Sequence, residues 1–309
     1  MAAITAKMVQ ELREKTGAGM LDCKKALTEA DGNMDAAVKV LREKGLAAAA
    51  NRLSKTAAEG IVKVKLTDKL AVIAEINSET DFVSRNDGFL EFAEKITEHI
   101  FENKPADLEV LKTQKFGNST VNEELSNFIA KIGENIKIRR FDIINAEPDE
   151  CITKYIHGNG KIGVIVKLKV SDASKKNAPE IQELIKDLSM QIAAAEPKYV
   201  TSSEVTKEEL NNEREIYAQQ MKNEGKPENI IAKIVEGKLV KYYELVCLVD
   251  QLFIKDTTLK VKNVIAGVEK SAGVKITVTG FVRYKVGEGI EKKKVDFAAE
   301  VEAQLNQAK

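Results

Sequence analysis

The fold of this 309-residue chain is decided by the stretch Ile152-Thr153-Lys154-Tyr155-Ile156-His157-Gly158-Asn159-Gly160-Lys161-Ile162-Gly163-Val164. It contains the spacing G-x-G-x-x-G, which in a dinucleotide-binding protein lies between a strand and a helix whose N-terminus faces the pyrophosphate. Here residues with strand character flank the glycines on both sides, and an Asn-Gly pair between two strands is typical of a hairpin turn. No Ser or Thr follows Lys161, so the phosphate-loop spacing is missing as well. The stretch therefore predicts a β-hairpin and no nucleotide site.

A hairpin followed by an amphipathic helix occurs twice in the chain. The first hairpin has alternating apolar residues from Gly60 to Ile76 around the turn Thr67-Asp68-Lys69. Apolar residues at helical spacing follow each hairpin, and they are Phe89, Phe92, Ile96 and Ile100 after the first and Ile181, Leu184, Ile185, Leu188 and Ile192 after the second. This pattern predicts two similar α+β subdomains with small antiparallel sheets.

The N-terminal residues predict a small three-helix module. Thr5 can cap a first helix, the segment from Thr16 to Gly19 breaks it, and a second helix should run from Met20 to Ala30. After the turn Asp31-Gly32-Asn33, a third helix should run from Met34 through Leu41 and end near Gly45. An Ala-rich helix from Leu46 to Ala58 is expected to be the link to the next subdomain.

The chain becomes helical again between Thr206 and Leu248, interrupted by Gly225-Lys226-Pro227, which predicts an antiparallel helical hairpin that protrudes from the body. Two interpretations of this hairpin stay open: a solvated decoration, or a coiled-coil arm for dimerisation or partner binding. Strand character returns from Val274 to Val286, and a short helix should begin at Phe297. The predicted segments are 1–55 (three-helix module), 56–142 (first α+β subdomain), 143–200 with 249–286 (second α+β subdomain), 201–248 (helical hairpin) and 287–309 (C-terminal segment).

The composition excludes several classes of function. Forty-eight basic and forty-eight acidic side chains give a net charge of zero, whereas proteins that bind nucleic acid usually carry a basic excess. No apolar stretch approaches the roughly 20 residues that span a bilayer, and residues 1–7 show no signal or transit pattern. The three cysteines are far apart, which is typical neither of a disulfide framework nor of a thiolate metal site, and a reducing cytoplasm fits them best.

No arrangement of residues predicts catalysis. The chain has two histidines, His99 and His157. His99 lies in a charged helical segment and is expected at the surface, and His157 has no Cys or Asp nearby that would complete a metal site. General acid–base or nucleophilic chemistry needs a histidine with a supporting carboxylate and a nucleophile. We therefore expect no catalytic residue, no cofactor and no metal.

The stretch from Asn77 to Asp87 is polar and turn-forming, with an aromatic residue in its middle. In one interpretation, Thr80 or Asp81 caps the following helix and Phe82 packs beneath it as a hydrophobic staple. In the other, the corner between strand and helix presents Phe82 as an exposed anchor for a partner, because interface energy concentrates in a few such residues. The residues by themselves leave both interpretations open.

The chain resembles bacterial elongation factor Ts in motifs that occur in the same order from residue 4 to residue 301. The N-terminal motif is the run from Lys7 to Leu27, with Thr16-Gly17-Ala18-Gly19-Met20-Leu21-Asp22-Cys23-Lys24-Lys25-Ala26-Leu27. The others are Thr80-Asp81-Phe82-Val83, Lys131-Ile132-Gly133-Glu134-Asn135-Ile136, His157-Gly158, Gly225-Lys226-Pro227, Val235-Glu236-Gly237, Gly287-Glu288-Gly289-Ile290-Glu291-Lys292 and Asp296-Phe297-Ala298-Ala299-Glu300-Val301. The segments 103–122 and 172–179 look longer than in familiar members.

This resemblance implies a guanine-nucleotide exchange factor for the GTPase elongation factor Tu, with a ubiquitin-associated-like N-terminal module. It implies that the N-terminal module and the first subdomain engage the GTPase domain, and that the second subdomain reaches another domain of the partner. The corner Thr80, Asp81, Phe82 and Val83 would push Phe82 into the GTPase domain, disturb the bound Mg²⁺ and release GDP. Further contact candidates carried over from the resemblance are Met20, Leu21, Lys24, Ile132, Gly133, His157 and Ile254.

Alternatives remain for residues and for function. Met20 or Leu21 could be ordinary core residues, and His157 a solvated turn residue. A different class of function is a translation-associated scaffold or ubiquitin-associated-like module that holds a partner without exchanging nucleotide. Such a passive binder would not need the corner from Thr80 to Val83. A third alternative, an α+β enzyme, would require convergent titratable groups that the sequence does not display.

Overall fold

The computed structural model describes residues 4–16, 18–52 and 54–291. Three sequence features lie outside the described residues: Gly17 of the first helix break, Lys292 at the end of the motif 287–292, and the segment 296–301 with the predicted helix from Phe297. Among the described residues, helices occur together with small sheets of two or three strands, which fits the α+β class.

The described part of the chain contains eleven α-helices and ten strands. They are α1 (Ala6–Thr16), α2 (Met20–Glu29), α3 (Met34–Arg52), β1 (Glu59–Leu66), β2 (Leu70–Ser78), α4 (Asp81–Ser84), α5 (Asp87–Asn103), α6 (Leu108–Thr113), β3 (Lys115–Phe116), β4 (Ser119–Thr120), α7 (Val121–Ile132), β5 (Lys137–Asn145), β6 (Glu150–His157), β7 (Ile162–Val170), α8 (Pro179–Ala195), α9 (Lys207–Asn223), α10 (Glu228–Val246), β8 (Leu252–Phe253), β9 (Asp256–Lys260), α11 (Val261–Ala272) and β10 (Ile276–Lys285).

The chain divides into two compact units by its internal packing. The first comprises Met1–Ile61, Ala74–Phe141 and Val286–Lys309, and the second comprises Val62–Ile73 and Asp142–Lys285. The boundaries between the two units fall within β1, β2 and β5. The five predicted segments are a finer division than these two units and stay a prediction.

In the first unit, α1, α2 and α3 pack around a small apolar core that contains Leu12, Cys23 and Leu27. The predicted cap is confirmed, because the Thr5 hydroxyl accepts a bond of 3.3 Å from the Met8 amide. Small apolar clusters of this kind are enough to order short helices that would be marginal alone.

The predicted end of the third helix near Gly45 is wrong, and so is the separate helix from Leu46 to Ala58. Helix α3 runs unbroken to Arg52, and residues 56–58 are not helical. A Cβ atom at Gly45 would lie 3.6 Å from the Ala130 Cβ and 3.6 Å from the Asn127 Oδ1, both on α7. These are ordinary packing distances, so Gly45 lies in the contact between α3 and α7 and does not terminate a helix.

The rest of the first unit includes the end of β2 from Ala74 to Ser78, where every residue is buried. The predicted apolar face of α5 is confirmed as core, and Phe92 on that face stacks on Phe128 of α7 with ring centroids 4.5 Å apart. The predicted surface position of His99 is wrong, because His99 is 9% exposed. Its ring nitrogens are hydrogen-bonded by Gln114 at 3.0 Å and Asn103 at 3.2 Å, which explains how a polar ring is tolerated there.

The second unit contains the sheet β10-β7-β6, whose strand pairs are antiparallel. The helices α8 and α11 contribute apolar residues to the core beside this sheet, and the predicted apolar face of α8 is fully part of it. The strands β6 and β7 pair from Glu150 with Lys169 to His157 with Ile162. The hairpin predicted from residues 152–164 is therefore confirmed.

Each glycine of the G-x-G-x-x-G spacing has a role in this hairpin. Gly158 and Gly160 have φ of +59° and +88°, as a tight turn requires. Gly163 has ordinary backbone, but a Cβ atom there would lie 2.4 Å from the Val62 Cγ1. The spacing thus reflects a turn and a close packing contact.

The helices α9 and α10 are joined at Gly225-Lys226-Pro227, as predicted, and pack side by side. Their shared apolar core contains Met221, Ile231, Val235 and Leu239. Glu209 of α9 accepts hydrogen bonds from the hydroxyls of Tyr199 and Tyr242. The pair is therefore held by its own core and by partly buried hydrogen bonds to Glu209.

Candidate partner-binding site

The corner between β2 and α5 is the single helical turn α4, which spans Asp81–Ser84. Thr80 has extended backbone (φ −117°, ψ 158°), and its hydroxyl accepts a hydrogen bond from the Val83 amide at 3.4 Å. Of the two predicted caps, Thr80 and Asp81, Thr80 does cap a helix, but the capped helix is this short turn and not α5. Asn86 caps α5 instead, through a 2.9 Å bond from the Gly88 amide.

A second corner, Gly133-Glu134-Asn135, lies where α7 ends and is joined to the first by hydrogen bonds. We call these bonds, between Glu79 and Thr80 on one side and Glu134 and Asn135 on the other, the clamp. The Glu134 carboxylate accepts bonds from the Thr80 amide at 3.1 Å and from the Thr80 hydroxyl at 2.7 Å. In the opposite direction, the Glu79 carboxylate accepts a bond of 2.6 Å from the Asn135 amide. These three bonds to carboxylates join two segments about 55 residues apart in sequence, and bonds to charged groups are among the stronger ones in proteins.

Phe82 lies at the tip of the clamped corner and is 83% exposed. It does not pack beneath the following helix, as the staple interpretation requires. A large aromatic side chain left in water has no stabilising role in the isolated chain, whereas it can supply much of the energy of an interface. The geometry therefore favours the exposed-anchor interpretation.

The neighbours of Phe82 are held in place. Asp81 accepts a bond of 2.9 Å from the Arg85 guanidinium one turn later, and its carbonyl accepts one of 2.8 Å from the Ser84 hydroxyl. Val83 is half-buried. The corner thus has a fixed backbone beneath one exposed aromatic ring.

Ile132 and Gly133 form the end of α7, immediately before Glu134. Gly133 adopts the left-handed conformation (φ +80°), and its amide closes the helix on the Ile129 carbonyl at 2.8 Å. Among the described residues, leaving out its two neighbours in the chain, no atom lies within 4 Å of a Cβ placed there, so the constraint at Gly133 is backbone conformation and not space. Gly133 therefore has a structural role in directing the chain into the clamp.

Met20, Leu21 and Lys24 lie in the first turns of α2. Met20 is 50% exposed, Leu21 is 74% exposed, and Lys24 is exposed too. The alternative that Met20 or Leu21 is an ordinary core residue is therefore excluded by the structure. Lys24 lies three positions after Leu21 and four after Met20, the spacings at which helix side chains are neighbours, so a cation lies beside each of two exposed apolar groups.

His157 and Ile254 belong to the second unit, whereas the Phe82 corner belongs to the first. His157 is exposed at the end of β6, where its Nδ1 is 3.0 Å from the Tyr155 hydroxyl. Ile254 is 39% exposed, and its amide donates to the Gln191 side chain at 2.8 Å. Both side chains are therefore open to a partner on the surface of their own unit.

Glu79 and Glu134 could not have been identified as a clamp from the sequence. Their bonds connect residues separated by 54 and 56 positions, and no local pattern reports a pairing of that range. The available signal was indirect: a helix-terminating glycine followed by a carboxylate and an amide in Gly133-Glu134-Asn135, the residues that end a helix and begin a connection.

Glu75 carries a buried carboxylate and lies on β2, the strand that leads to the corner at Thr80. Glu75 is fully buried, and its oxygens accept bonds from Arg139 at 2.9 Å, Arg140 at 2.6 Å, Asn77 at 3.1 Å and the Gly287 amide at 2.8 Å. Burial by itself would raise the pKa of Glu75, but these four donors outweigh it, and the pKa is lowered from its usual value. Every donor is used within the fold, so this cluster is structural.

Within residues 4–16, 18–52 and 54–291, no group of three or more His, Cys, Asp or Glu side chains is arranged to hold a metal ion. Over the same residues, no helix is long and apolar enough to cross a membrane. The three cysteines are unpaired and buried. Burial raises the pKa of the Cys247 thiol to about 11, which disfavours its reactive thiolate form.

Comparisons with known proteins give a consistent result. The family model described as Elongation factor TS matches residues 79–288, which begin at Glu79 of the clamp and end within the segment held by Glu75. The chain is also 48% identical over 309 aligned positions to elongation factor Ts of Clostridium novyi (strain NT), an alignment that covers 98% of this chain and 99% of that protein. Similarity at this level over nearly the full length establishes that the chain belongs to the elongation factor Ts family.

Proposed function

We propose that this chain is the guanine-nucleotide exchange factor of elongation factor Tu, that it binds the GDP form, and that Phe82 displaces Mg²⁺ and so releases GDP. The observation that carries the proposal is a phenylalanine side chain 83% exposed on a backbone clamped from both sides. Family membership supports the choice of partner.

The proposed mechanism needs no acid, base or nucleophile in this chain. A Mg²⁺ ion that bridges phosphates and protein oxygens supplies much of the affinity of a bound nucleotide. An aromatic wedge that shifts the ion's ligands by about an ångström would therefore weaken GDP strongly. By thermodynamic linkage, bound GDP must weaken the exchange factor by the same ratio. The chain would thus act by differential binding and not by catalysis on the nucleotide itself.

A fixed backbone suits this role because Phe82 can displace groups of the partner only if the turn that holds it keeps its own conformation. If the corner were mobile, part of the binding energy would be used to order it. The cap at Thr80 and the carboxylate of Glu134 supply this order in the free chain. Phe82 would therefore meet its partner already in the required orientation.

Other exposed residues extend the proposed interface. The patch of Met20, Leu21 and Lys24 is proposed to bind the GTPase domain together with Ile132 and the corner. His157 and Ile254, in the second unit, are proposed to reach another domain of the partner. Aminoacyl-tRNA delivery occurs in the cytoplasm, and the chain is proposed to act there.

The helices α9 and α10 carry no assigned role in this mechanism. Several of their apolar side chains are exposed, among them Leu245 at 66% and Val240 at 54%. A homodimer or partner contact through these helices stays a proposal, as does the solvated alternative. Sedimentation of the purified chain at several concentrations would decide between a dimer and a monomer.

The test of the proposed function is the release of fluorescent GDP from purified bacterial elongation factor Tu, with and without this chain. A large acceleration that excess Mg²⁺ reduces is the expected result. Phe82→Ala should lower that acceleration by at least about 30-fold, since hot-spot residues contribute about 2 kcal/mol or more. The same variant should unfold within about 0.5 kcal/mol of the unmodified chain, because the side chain is exposed.

Val110→Ala is the matched control, because Val110 is an apolar residue 42% exposed on α6, away from the corner. It should leave GDP release unchanged. Absence of acceleration by the folded, unmodified chain would overturn the proposal, and binding without acceleration would support a passive scaffold. Equal losses of exchange and folding in Phe82→Ala would argue for a packing role instead.

A further inference from the structure

We propose that Glu134 is a positioning residue for nucleotide exchange, which acts on the partner only through the turn that presents Phe82. The inference rests on the proposed function. It deepens that function by assigning the orientation of the wedge to a carboxylate that does not itself touch the wedge.

The hydrogen bonds form a relay from Glu134 to the turn. The Thr80 hydroxyl donates its one proton to the Glu134 carboxylate at 2.7 Å, so its lone pairs are left to face the Val83 amide, which donates to it at 3.4 Å. The Thr80 amide donates to the second oxygen of Glu134 at 3.1 Å. Glu134 therefore fixes both the position of Thr80 and the direction of its hydroxyl.

The α4 turn depends on this cap more than a longer helix would. It contains only four residues, Asp81–Ser84, and helices so short are not stable by themselves in water. Phe82 is too exposed to anchor the turn by packing. Hydrogen bonds are therefore an important source of order in the turn, and the Thr80 cap is the one that Glu134 controls.

Glu134 is itself held on both sides in the chain. Gly133 precedes it in a left-handed conformation that ends α7. Asn135 follows it, is fully buried, and donates through its side-chain amide to the Lys55 carbonyl at 2.6 Å and through its backbone amide to Glu79 at 2.6 Å. The carboxylate is thus a fixed support, unlike a surface glutamate that samples many rotamers.

The geometry favours positioning over direct contact. Both Glu134 oxygens already accept a bond from Thr80, and the side chain is half-buried. A carboxylate engaged in this way would have to give up one of these bonds to meet a partner group. Its effect on exchange should therefore vanish when Phe82 is absent.

A double-mutant cycle tests this prediction. In the unmodified background, Glu134→Ala should reduce the acceleration of GDP release by about 5- to 30-fold, which corresponds to about 1–2 kcal/mol and is of the order of a single hydrogen bond to a charged group. In the Phe82→Ala background, the same substitution should change the remaining acceleration by less than about twofold, because the effects of coupled residues do not add. Glu134→Gln, which keeps the shape but cannot accept from both Thr80 donors, should give an intermediate loss.

Glu124→Ala is the matched control. Glu124 lies on α7, is half-buried, and accepts a side-chain bond of 2.6 Å from the Ser119 hydroxyl, so it resembles Glu134 without touching the corner. It should leave exchange unchanged in both backgrounds. Equal losses from Glu134→Ala with and without Phe82, or no loss with Phe82 present, would overturn the positioning role.

Amide hydrogen exchange of the free chain separates this inference from the proposed function. Glu134→Ala and Glu134→Gln should speed exchange at the amides of Thr80 and Val83 by at least about tenfold, with no change in α7 before Ile129. If the unmodified chain fails to accelerate GDP release, the proposed function fails, whatever the hydrogen exchange shows. If acceleration is present but these two amides exchange at the unmodified rate in both variants, the positioning role fails alone.

Discussion

Glu75 and Phe82 lie seven residues apart in the first unit, and their environments are opposite. Glu75 is a charged residue that is fully buried, whereas Phe82 is an apolar residue that is 83% exposed. Hydrogen bonds explain both departures from the usual pattern. At Glu75 they compensate a buried charge, and at the corner they hold the backbone so firmly that the aromatic side chain does not need to pack.

The segment from Glu75 to Phe82 therefore has two roles: Glu75 stabilises the fold, and Phe82 is exposed for recognition. The four donors to Glu75 come from β2, β5 and the segment after β10, so they join strands and connections of the unit. The bonds that Glu134 and Glu79 accept join only the corner at Thr80 and the corner at the end of α7. Disrupting the first set should therefore damage stability, and disrupting the second should damage presentation of Phe82.

Among the substitutions that test this difference between Glu75 and Phe82, Glu75→Ala should have the largest effect, and it should act on stability. It would leave Arg139 and Arg140 without their shared carboxylate and should destabilise the chain by roughly 2–4 kcal/mol, somewhat below the cost of breaking a fully buried pair because both arginines keep some contact with water. Denaturant unfolding followed by circular dichroism measures this. Glu43→Ala, at an exposed position, should cost less than about 0.5 kcal/mol. Similar costs for the two variants would show that the Glu75 cluster is dispensable.

A smaller effect is expected in the pH dependence of stability. The pKa of Glu75 in the fold is lower than its usual value of 4.5, so in the folded chain Glu75 binds its proton less readily than in the unfolded chain. The stability that the ionised Glu75 carboxylate contributes is therefore complete above about pH 4.5, and it is lost as the pH falls through the folded-state pKa. Unfolding midpoints between about pH 6 and pH 3 should fall less steeply in Glu75→Gln than in the unmodified chain. Glu43→Gln controls for the change in charge, and parallel slopes for all three would contradict the assignment.

The smallest effect is expected at the corner, from Gly133→Ala. A Cβ atom there has open space but forces a side chain into left-handed backbone, which should cost about 1 kcal/mol. Gly117→Ala introduces the same strain, at φ +63° and also in open space, but away from the clamp. Both variants should lose similar stability, while only Gly133→Ala should slow GDP release. If the two variants accelerated GDP release equally, Gly133 would have no specific role in the function of the corner.

Much of the fold was predictable because its signals are local. The turn at Gly158-Asn159-Gly160, the apolar faces of α5 and α8, and the break between α9 and α10 depend on residues close together in sequence. Errors occurred where a distant contact overrides a local signal. Gly45 is a helix terminator by its local pattern but packs against α7, and His99 looks like a surface residue but finds partners in Gln114 and Asn103.

The α+β class, the cap at Thr5 and, through the motifs, the elongation factor Ts family could all be inferred from the sequence. The sequence could not decide whether Phe82 packs or protrudes, or whether Met20 and Leu21 lie in a core. Only the tertiary structure decided those questions, because the exposure of a side chain depends on what distant segments place beside it. The carboxylate that holds Thr80 comes from 54 residues further along the chain, and no local periodicity encodes a bond of that span.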